Sequence, residues 1–256
     1  MKRFLIVFSS LLCLCLSAQA QRRDSVYTRS EQFKWQKLIA PGLLMGAGVA
    51  GTLSPWYQTE VNENIRDRAI EMRQRYSGGK ELTFDNYLQY APFAGYAAGM
   101  LSGCGEHNFL EQALTLGTSI VFTAIISASM KELCGVERPN KANRQSFPSG
   151  HTDTVFLGAE LVRLEFGPWW GLAAYSTAFV TAFMRIYNNW HWTTDLMAGA
   201  AIGIFCANAA YWLLPLERKW LKLDSKAASP VRASALPYIA PTPYGSSYGM
   251  SLAFCF

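Results

Sequence analysis

Five apolar stretches constrain the fold of this chain more than any other feature of its sequence. A sixth, shorter stretch, His151–Val162, carries Asp153 and Glu160. The five run over Leu38–Trp56, Tyr87–Cys104, Phe109–Met130, Pro168–Met184 and Leu196–Leu214. Segments of about 20 apolar residues have the length of helices that cross a bilayer. The pattern therefore predicts an all-α bundle of about six helices.

Two kinds of observation bear on whether this bundle lies in a membrane. Glycine and alanine are frequent in the stretches, and most tryptophans lie near their ends, as in close-packed membrane helices with an aromatic belt. The mean hydropathy of the whole chain is only +0.07, however, and a large soluble domain with buried helices would give a similar profile. The sequence favours a membrane-embedded bundle and leaves a soluble one open.

The first 20 residues have the pattern of a secretory signal peptide. Lys2 and Arg3 precede an apolar run, Phe4–Leu16, and small residues follow as far as Ala20. The run is short for a membrane span, which favours cleavage after Ala20 over an uncleaved anchor. We therefore expect a signal peptide over residues 1–20, a polar segment over 21–37, a helical domain over 38–223 and a tail over 224–256.

Net charge and cysteine content exclude more than they assign. Lys2 and Arg3 contribute two of the five net positive charges, so cleavage would leave a charge of +3. That weak bias suits an anionic substrate or surface, and we expect no nucleic-acid partner. The four cysteines beyond the signal show no metal-binding or disulfide spacing and are expected to be unpaired: Cys104, Cys134, Cys206 and Cys255.

The tail changes character and ends in a predicted strand. Its prolines exclude a long helix. From Tyr248 to Phe256 large apolar residues alternate with small ones, and a period of two predicts a strand with one apolar face. A terminal aromatic strand is also typical of outer-membrane barrels, but one strand cannot close a barrel. The pattern favours a short strand or hairpin on the surface of the domain.

Three short clusters carry the residue types needed to hold and cleave a phosphate ester. They are Lys131-x₆-Arg138-Pro139, Pro148-Ser149-Gly150-His151 and Arg185-x₅-His191-x₃-Asp195. Together they supply three cations, two of the three histidines of the chain, and one carboxylate. Three cations around one dianion can hold it without a metal, so we expect neither a metal nor another cofactor. Each cation alone would be interpreted as an interfacial anchor below a span.

The second and third clusters predict local geometry. Ser149 is expected to cap a helix that begins near His151, and Gly150 allows the backbone to approach an anion at that helix N-terminus. His191 and Asp195 lie four residues apart on one predicted helix face, so the carboxylate can orient the ring. A buried structural pair is the alternative for these two residues in isolation. The third histidine, His107, has no partner pattern and is expected to be solvated.

The three clusters together resemble the signature of the type 2 phosphatidic acid phosphatase superfamily, which includes lipid phosphate phosphatases, class A bacterial acid phosphatases and vanadium haloperoxidases. Met184 stands where the third motif usually has serine. The resemblance covers residues 85 to 215 and implies that His191 is the nucleophile and His151 the general acid and base. It also implies that Lys131, Arg138, Ser149, Gly150 and Arg185 bind the phosphoryl oxygens.

From these observations we expect a metal-independent phosphatase whose substrate is a phosphorylated lipid in a membrane. Undecaprenyl diphosphate, phosphatidylglycerol phosphate and the lipid A phosphates are the candidates. A soluble periplasmic acid phosphatase of broad specificity is the main alternative. A vanadium haloperoxidase and a non-catalytic anion-binding membrane protein are more distant ones. The sequence does not indicate an oligomeric state.

We expect the bacterial inner membrane as the location, with the site facing the periplasm and formed where two interhelical loops meet, Cys134–Pro148 and Ile186–Trp190. An exported N-terminus followed by three full spans would instead place the first cluster inside the cell. Either one of those stretches does not span, Leu38–Trp56 being the candidate, or the signal is not cleaved.

Overall fold

The computed structural model describes residue 28, residues 30–223 and the backbone of residues 232–242 and 245–255. The predicted signal peptide and most of the adjoining residues as far as 29 lie outside this part. The helices are α1 (Ile39–Leu53), α2 (Asn64–Ser77), α3 (Asp85–Leu88), α4 (Ala91–Leu101), α5 (Phe109–Cys134), α6 (Gly150–Phe166), α7 (Pro168–Tyr187) and α8 (Thr193–Trp220). A 3₁₀ helix, Trp35–Leu38, precedes α1, and a single α-helical turn, Pro55–Tyr57, followed by a π-helix, Gln58–Glu63, precedes α2.

The predicted all-α bundle is confirmed. Its centre is α6, which contains the sixth and shortest of the apolar stretches, His151–Val162. Thirteen of the 17 residues of α6 are buried. The helix tolerates polar residues there because each has a partner. Asp153 Oδ2 accepts a hydrogen bond from Ser127 Oγ at 2.6 Å, and Glu160 accepts one from Tyr175 at 2.8 Å. Polar side chains can be buried when they have hydrogen-bond partners, so a buried helix can have a sequence that is only moderately apolar.

Two glycines of α8 bring the start of α6 against the start of α8. A Cβ atom on Gly199 would lie 2.7 Å from the backbone oxygen of Ser149, and one on Gly203 would overlap the backbone of α6 at Asp153. Only glycine therefore permits this approach. The contact places the Ser149–His151 turn beside the first turn of α8, which joins the second and third clusters.

Helix α1 and the residues ahead of it pack along α8 in the opposite direction. A Cβ atom on Gly48 would lie 2.9 Å from the backbone oxygen of Thr194, while the ring of Phe33, ahead of α1, lies 4.9 Å from that of Trp212. The chain then bends by 89° into Pro55–Ser77. The stretch Leu38–Trp56, the candidate for a segment that does not span, thus packs along the bundle.

Two of the described helices, α5 and α8, are each long and apolar enough to cross a membrane, and a third span is possible if the bent pair Trp35–Leu53 and Pro55–Ser77 counts as one. The expectation of a single span over Tyr87–Cys104 is wrong. That stretch breaks into α3 and α4, of 4 and 11 residues, because Pro92 begins a new helix. Eleven residues rise only about 16 Å, short of the ~30 Å hydrocarbon core.

The tail forms an antiparallel hairpin. Strand β1, Arg232–Thr242, pairs with β2, Gly245–Cys255, and Thr242 stands opposite Gly245. The strand predicted from the alternation after Tyr248 is therefore present as the second arm of a hairpin. Three cysteines are free thiols, as expected: Cys104, Cys134 and Cys206. The side chain of Cys255 lies outside the described part.

The expectation that His107 is solvated is wrong. Its residue is only 4% exposed. Its Nδ1 lies 2.7 Å from Glu165 Oε2, and its Nε2 lies 2.9 Å from Glu31 Oε1. Burial by itself would lower the pKa of His107, but the two carboxylates outweigh it and raise that pKa to about 9. The partners are 58 and 76 residues away in sequence, so no local pattern could reveal them.

The His107 cluster occupies the end of the bundle opposite the first turn of α8. Arg218, in the last turns of α8, donates hydrogen bonds to both carboxylate oxygens of Glu31 at 2.8 Å and to Glu111 at 2.6 Å. Along α8, the distance from Asp195 to Arg218 is about 35 Å, given ~1.5 Å per residue. Residue 31 and the start of α8 are therefore at opposite ends of the molecule.

Candidate active site

A cavity of about 370 Å³ opens at the end of the bundle where α6 and α8 begin. Six of the eight residues predicted from the three clusters line it: Lys131, Arg138, Gly150, His151, Arg185 and His191. The other two, Ser149 and Asp195, are buried directly behind the wall. The fold thus brings together residues that span 65 positions of the sequence.

The ring of His191 is held from behind by two acceptors. Its Nδ1 lies 2.9 Å from the backbone oxygen of Ser146 and 3.4 Å from Asp195 Oδ2. Both acceptors require a hydrogen on Nδ1, so the lone pair of a neutral ring is on Nε2. Burial, together with the nearby guanidinium groups, lowers the pKa of His191 despite the Asp195 carboxylate. The ring therefore remains neutral at neutral pH, as a nucleophile must.

Asp195 also fixes the loop that follows α5. Its Oδ2 accepts hydrogen bonds from Ser146 Oγ at 2.5 Å and from the backbone N–H of Trp192 at 2.8 Å. Its backbone oxygen accepts one from the N–H of Ser149 at 3.1 Å. One residue at the start of α8 thereby ties the second and third clusters to each other.

Lys131 reaches the same loop from the last turn of α5. Its ammonium donates to the backbone oxygen of Pro148, and to that of Gln145 at 3.3 Å. Gly135 follows with φ of 54° and ends α5 in a left-handed cap. The third donor position of the lysine is left for a ligand in the cavity.

Trp190 lies between the two arginines. The guanidinium carbon of Arg138 is 5.2 Å from the centre of a Trp190 ring, and that of Arg185 is 5.6 Å from it. Cation–π contact holds two like charges near one ring. Within the described residues, the Nε atoms of both arginines are buried and without a hydrogen-bond partner. A buried N–H without an acceptor is costly, so both groups favour binding of an anion.

His151 also lines the cavity. Its Nε2 lies 2.9 Å from Asn86 Oδ1. Burial and the nearby positive charge of Arg185, reinforced by His191 and Arg138, lower the pKa of His151 to about 4. A phosphate dianion in the cavity would offset those charges and raise the pKa again. His151 can therefore become the protonated acid when an anionic ligand is bound.

The Ser149–Gly150 turn differs in one respect from its prediction. Ser149 occupies the N-cap position of α6, but its side chain makes no capping hydrogen bond. Its Oγ instead accepts one from Thr152 Oγ1 at 3.0 Å. A Cβ atom on Gly150 would meet nothing within 4 Å, so this backbone borders open space in the cavity. The free N–H groups at the start of α6 are available to an anion there.

Sequence reasoning missed most of the remaining wall. The residues that complete it are Glu81, Thr83, Asp85, Asn86, Asn188 and Trp190. The run Tyr187–Trp190 could be interpreted either as a substrate mouth or as a cover over a helix junction, and Asn188 and Trp190 do line the cavity. Asp85 and Asn86 precede the three clusters and belong to no pattern around them.

Comparison with known proteins identifies the same part of the chain. The model of the PAP2 superfamily matches residues 112–219, which contain all three clusters. The chain is similar to the PAP2 superfamily over these residues, which are 108 of its 256. It has the all-α core and the clustered cations and histidines expected from that resemblance, and two of its helices have the length and composition of spans in a membrane protein.

A curated relative is similar to part of this chain. The lipid A 1-phosphatase of Porphyromonas gingivalis is 33% identical over 163 residues, which are 60% of this chain and 36% of that protein. The chain thus spans about a third of the length of the curated relative that it matches.

Two solved structures are also similar. The first transmembrane PAP2 type phosphatidylglycerolphosphate phosphatase from Bacillus subtilis aligns over 75% of this chain and 100% of its own, with a TM-score of 0.53 and 17% identity. This match supports the fold. Aquifex aeolicus LpxE aligns over 55% of this chain and 92% of its own, with a TM-score of 0.42 and 20% identity.

Proposed function

We propose that this chain is a phosphoric ester hydrolase that removes phosphate from a lipid without a metal, through a phosphohistidine on His191. One observation carries the proposal. Nδ1 of His191 is held by Ser146 and Asp195, which leaves Nε2 to the cavity that the three cations line. This is the arrangement of an oriented nucleophile beside an anion-binding pocket.

In the first step the Nε2 lone pair attacks phosphorus and the bond from phosphorus to the ester oxygen breaks. Protonated His151 donates its proton to the departing oxygen, so the alcohol or lipid phosphate leaves neutralised by one proton. Lys131, Arg138 and Arg185 stabilise the charge on the three equatorial oxygens, assisted by the backbone at Gly150.

In the second step a water molecule attacks the phosphohistidine. His151, now neutral, takes a proton from this water as the oxygen bonds to phosphorus. The bond from phosphorus to Nε2 breaks, and inorganic phosphate leaves with His191 neutral again. Asp195 stabilises the positive charge that the His191 ring carries while it bears the phosphoryl group.

Two observations support a lipid as the substrate. Phe84 and Tyr87 flank the cavity residues Asp85 and Asn86, and these aromatic residues are 47% and 80% exposed. An exposed aromatic rim beside an anion pocket suits an amphiphile whose phosphate enters the pocket. The relative from Porphyromonas gingivalis is named for activity on lipid A, which makes a phosphorylated glycolipid the first substrate to test.

We place the protein in the bacterial inner membrane, with the cavity opening on the periplasmic side. The lengths and composition of α5 and α8 support insertion. The export pattern of residues 1–20 supports a periplasmic cavity only in a bundle that does not thread the membrane. The position of residue 31, at the far end of the bundle, makes this location directly testable.

The decisive experiment is a phosphate-release screen with the purified full chain in detergent. The panel contains lipid A, undecaprenyl diphosphate, phosphatidylglycerol phosphate and a water-soluble aryl phosphate. We expect release from at least one lipid, and none from any lipid by His191→Ala. Preference for the soluble ester would favour a broad-specificity acid phosphatase instead. Phosphate binding without turnover of any ester would contradict the proposed function, as would activity only as a vanadate-dependent oxidation of halide by peroxide.

A further inference from the structure

We propose that Asp85 and Asn86, which lie outside the three clusters, are positioning residues of this site. Asp85 sets the orientation of the phosphate-binding Arg185, and Asn86 sets the proton position and the charge of His151. The inference rests on the proposed function for its meaning in catalysis, but the contacts can be tested without turnover.

Asp85 holds one edge of the Arg185 guanidinium. Its residue is completely buried, and its Oδ2 lies 2.6 Å from Arg185 Nη1. The guanidinium has two edges that can hold two oxygens, and occupation of Nη1 leaves the edge formed by Nε and Nη2. Arg185 Nε is buried and has no partner among the described residues. Asp85 thus fixes which edge an incoming phosphate meets.

Asn188 holds Asp85 in turn. Its Nδ2 lies 3.5 Å from Asp85 Oδ1. The same amide donates to the backbone oxygen of Leu82 at 2.8 Å and accepts from the backbone N–H of Leu82 at 3.1 Å. The segment before α3 is therefore bound to the end of α7, and the carboxylate has little freedom to leave the arginine.

Asn86 acts on His151 through a hydrogen bond, because its side chain is uncharged. Its Oδ1 lies 2.9 Å from His151 Nε2 and 3.5 Å from Arg185 Nη1. Because a guanidinium can only donate, the oxygen of the amide faces both groups. An oxygen acceptor at Nε2 places the hydrogen of a neutral His151 on that nitrogen. The leaving oxygen of a substrate would replace Asn86 Oδ1 as the acceptor of this hydrogen.

The choice of an amide instead of a carboxylate has a chemical consequence. The charged groups that act on His151 are Arg185 and Arg138, which disfavour its protonation, and Asp85, which opposes them. The titratable ring of His191 acts in the same sense as the arginines when it is protonated. A second carboxylate at position 86 would favour the protonated ring in the empty site. With the neutral Asn86, protonation of His151 depends on the charge of the bound phosphate.

The substitution Asn86→Asp tests this directly, since it keeps the shape of the side chain and adds a charge. Asn86 is exposed to the cavity mouth, so the change removes no buried packing. Asn64→Asp is the matched control, because Asn64 is exposed and does not line the cavity. The chain contains three histidines, so the NMR signals of His151 can be assigned by comparison with His151→Gln.

We expect the pKa of His151 in Asn86→Asp to rise by about one unit or more relative to wild type, and no change in Asn64→Asp. In the enzyme the alkaline limb of the kcat/KM profile should move up by a similar amount, because the acid stays protonated to higher pH. An unchanged His151 titration in Asn86→Asp would overturn the role of Asn86.

The substitution Asp85→Asn tests the orientation of Arg185. Removal of a negative charge beside the cavity favours anion binding by charge alone, so a fall in phosphate affinity would report the displacement of Arg185. A misplaced arginine should also lower kcat about tenfold or more. Asp67→Asn is the control, since Asp67 pairs with Arg66 on the exposed surface. A merely structural role would reduce the yield and melting temperature and leave the kcat of the folded fraction unchanged, which would overturn the role of Asp85.

The two proposals fail in different ways. If wild type releases no phosphate but the His151 titration moves in Asn86→Asp, the proposed function is wrong and the contact stands. If wild type is active and neither the titration nor the kcat of Asp85→Asn changes, the positioning inference is wrong and the function stands. Binding of inorganic phosphate, measured by isothermal titration calorimetry, provides the affinity in both cases.

Discussion

His191 and Ser146 are joined by a hydrogen bond of 2.9 Å from the ring Nδ1 to the backbone oxygen. This contact is shorter than the one from Nδ1 to Asp195 Oδ2, which measures 3.4 Å. The orientation of the proposed nucleophile is thus shared between a backbone carbonyl and a carboxylate. The carbonyl cannot be removed by a side-chain substitution. Its presence separates two roles that a carboxylate partner usually combines: fixing the position of the ring hydrogen and stabilising the positive charge of the ring.

The first prediction concerns Asp195→Asn. In a serine protease triad the corresponding change costs about 10⁴-fold in kcat because the histidine adopts the wrong tautomer. Here the Ser146 carbonyl keeps the hydrogen on Nδ1, so we expect a smaller loss, about 10²-fold, from reduced charge stabilisation alone. Single-turnover kinetics of the purified variant measure it. A loss as large as that of His191→Ala would show that the Ser146 contact does not orient the ring.

The second prediction concerns the covalent intermediate. Rapid acid-free quenching of the wild-type reaction with a ³²P-labelled ester should trap label on histidine, and His191→Ala should trap none. His151→Gln should still form the phosphoenzyme from a substrate with a good leaving group but hydrolyse it slowly, because its water is no longer activated. Label that persists in His191→Ala would assign the nucleophile to another residue.

The third prediction is that chelation leaves the activity intact. Among the described residues, no group of three His, Cys, Asp or Glu side chains is placed to hold a metal ion, whereas three cations line the cavity. Excess EDTA should change kcat by less than about twofold. Vanadate should inhibit competitively, because it can adopt the five-coordinate geometry of the transferring phosphoryl group. Activity lost on chelation and restored by magnesium would contradict this mechanism.

The fourth prediction concerns the buried cluster at the opposite end of the bundle. The pKa of His107 is raised to about 9. The pKa of Glu31 is lowered to about 2, because hydrogen bonds from His107 and Arg218 outweigh the effect of burial. The His107 contribution to stability is complete below its unfolded pKa of about 6.5 and is lost as the pH rises through 9. The Glu31 contribution is complete above about 4.5 and is lost as the pH falls through 2.

The contribution of this cluster to the melting temperature should therefore be greatest between about pH 5 and 6.5. Glu31→Gln should lower the free energy of unfolding by about 3 kcal/mol at pH 6, because His107 and Arg218 lose a negatively charged partner. Glu60→Gln is the matched control on the exposed surface. Equal melting temperatures for the two variants would show that the cluster does not stabilise the fold.

The sequence predicted the residues that carry the proposed chemistry better than the residues that hold them in place. Motif spacing identified six residues of the cavity wall because each cluster is local. Asp85 and Asn86 were not predicted, since their contacts with Arg185 and His151 span 100 and 65 residues. His107 was misjudged for the same reason: a turn rich in polar residues looks solvated until its distant carboxylates are known. The break between α3 and α4 was a local signal at Pro92 that the apolar composition concealed.

The fifth prediction concerns the side of the membrane on which the cavity opens. Glu31 binds Arg218, at the end of α8 opposite Asp195. Asp195 and Arg218 are about 35 Å apart along α8, more than the ~30 Å hydrocarbon core. In a bundle threaded through the membrane, residue 31 and the cavity must therefore face opposite compartments. An exported N-terminus, a threaded bundle and a periplasmic cavity cannot all occur together.

Two single cysteines in a cysteine-free background decide between them. Gln32→Cys reports on the far end, and Ala142→Cys reports on the loop beside the cavity; both positions are exposed. In intact spheroplasts a membrane-impermeant maleimide should label Ala142→Cys, as the periplasmic cavity requires. Labelling of Ala142→Cys alone would mean that residues 1–20 do not export the chain that follows them. Labelling of both would mean that the bundle lies wholly outside the cytoplasm without threading the membrane. Labelling of Gln32→Cys alone would contradict the proposed location, place the cavity in the cytoplasm and direct the substrate search to lipids of the inner leaflet.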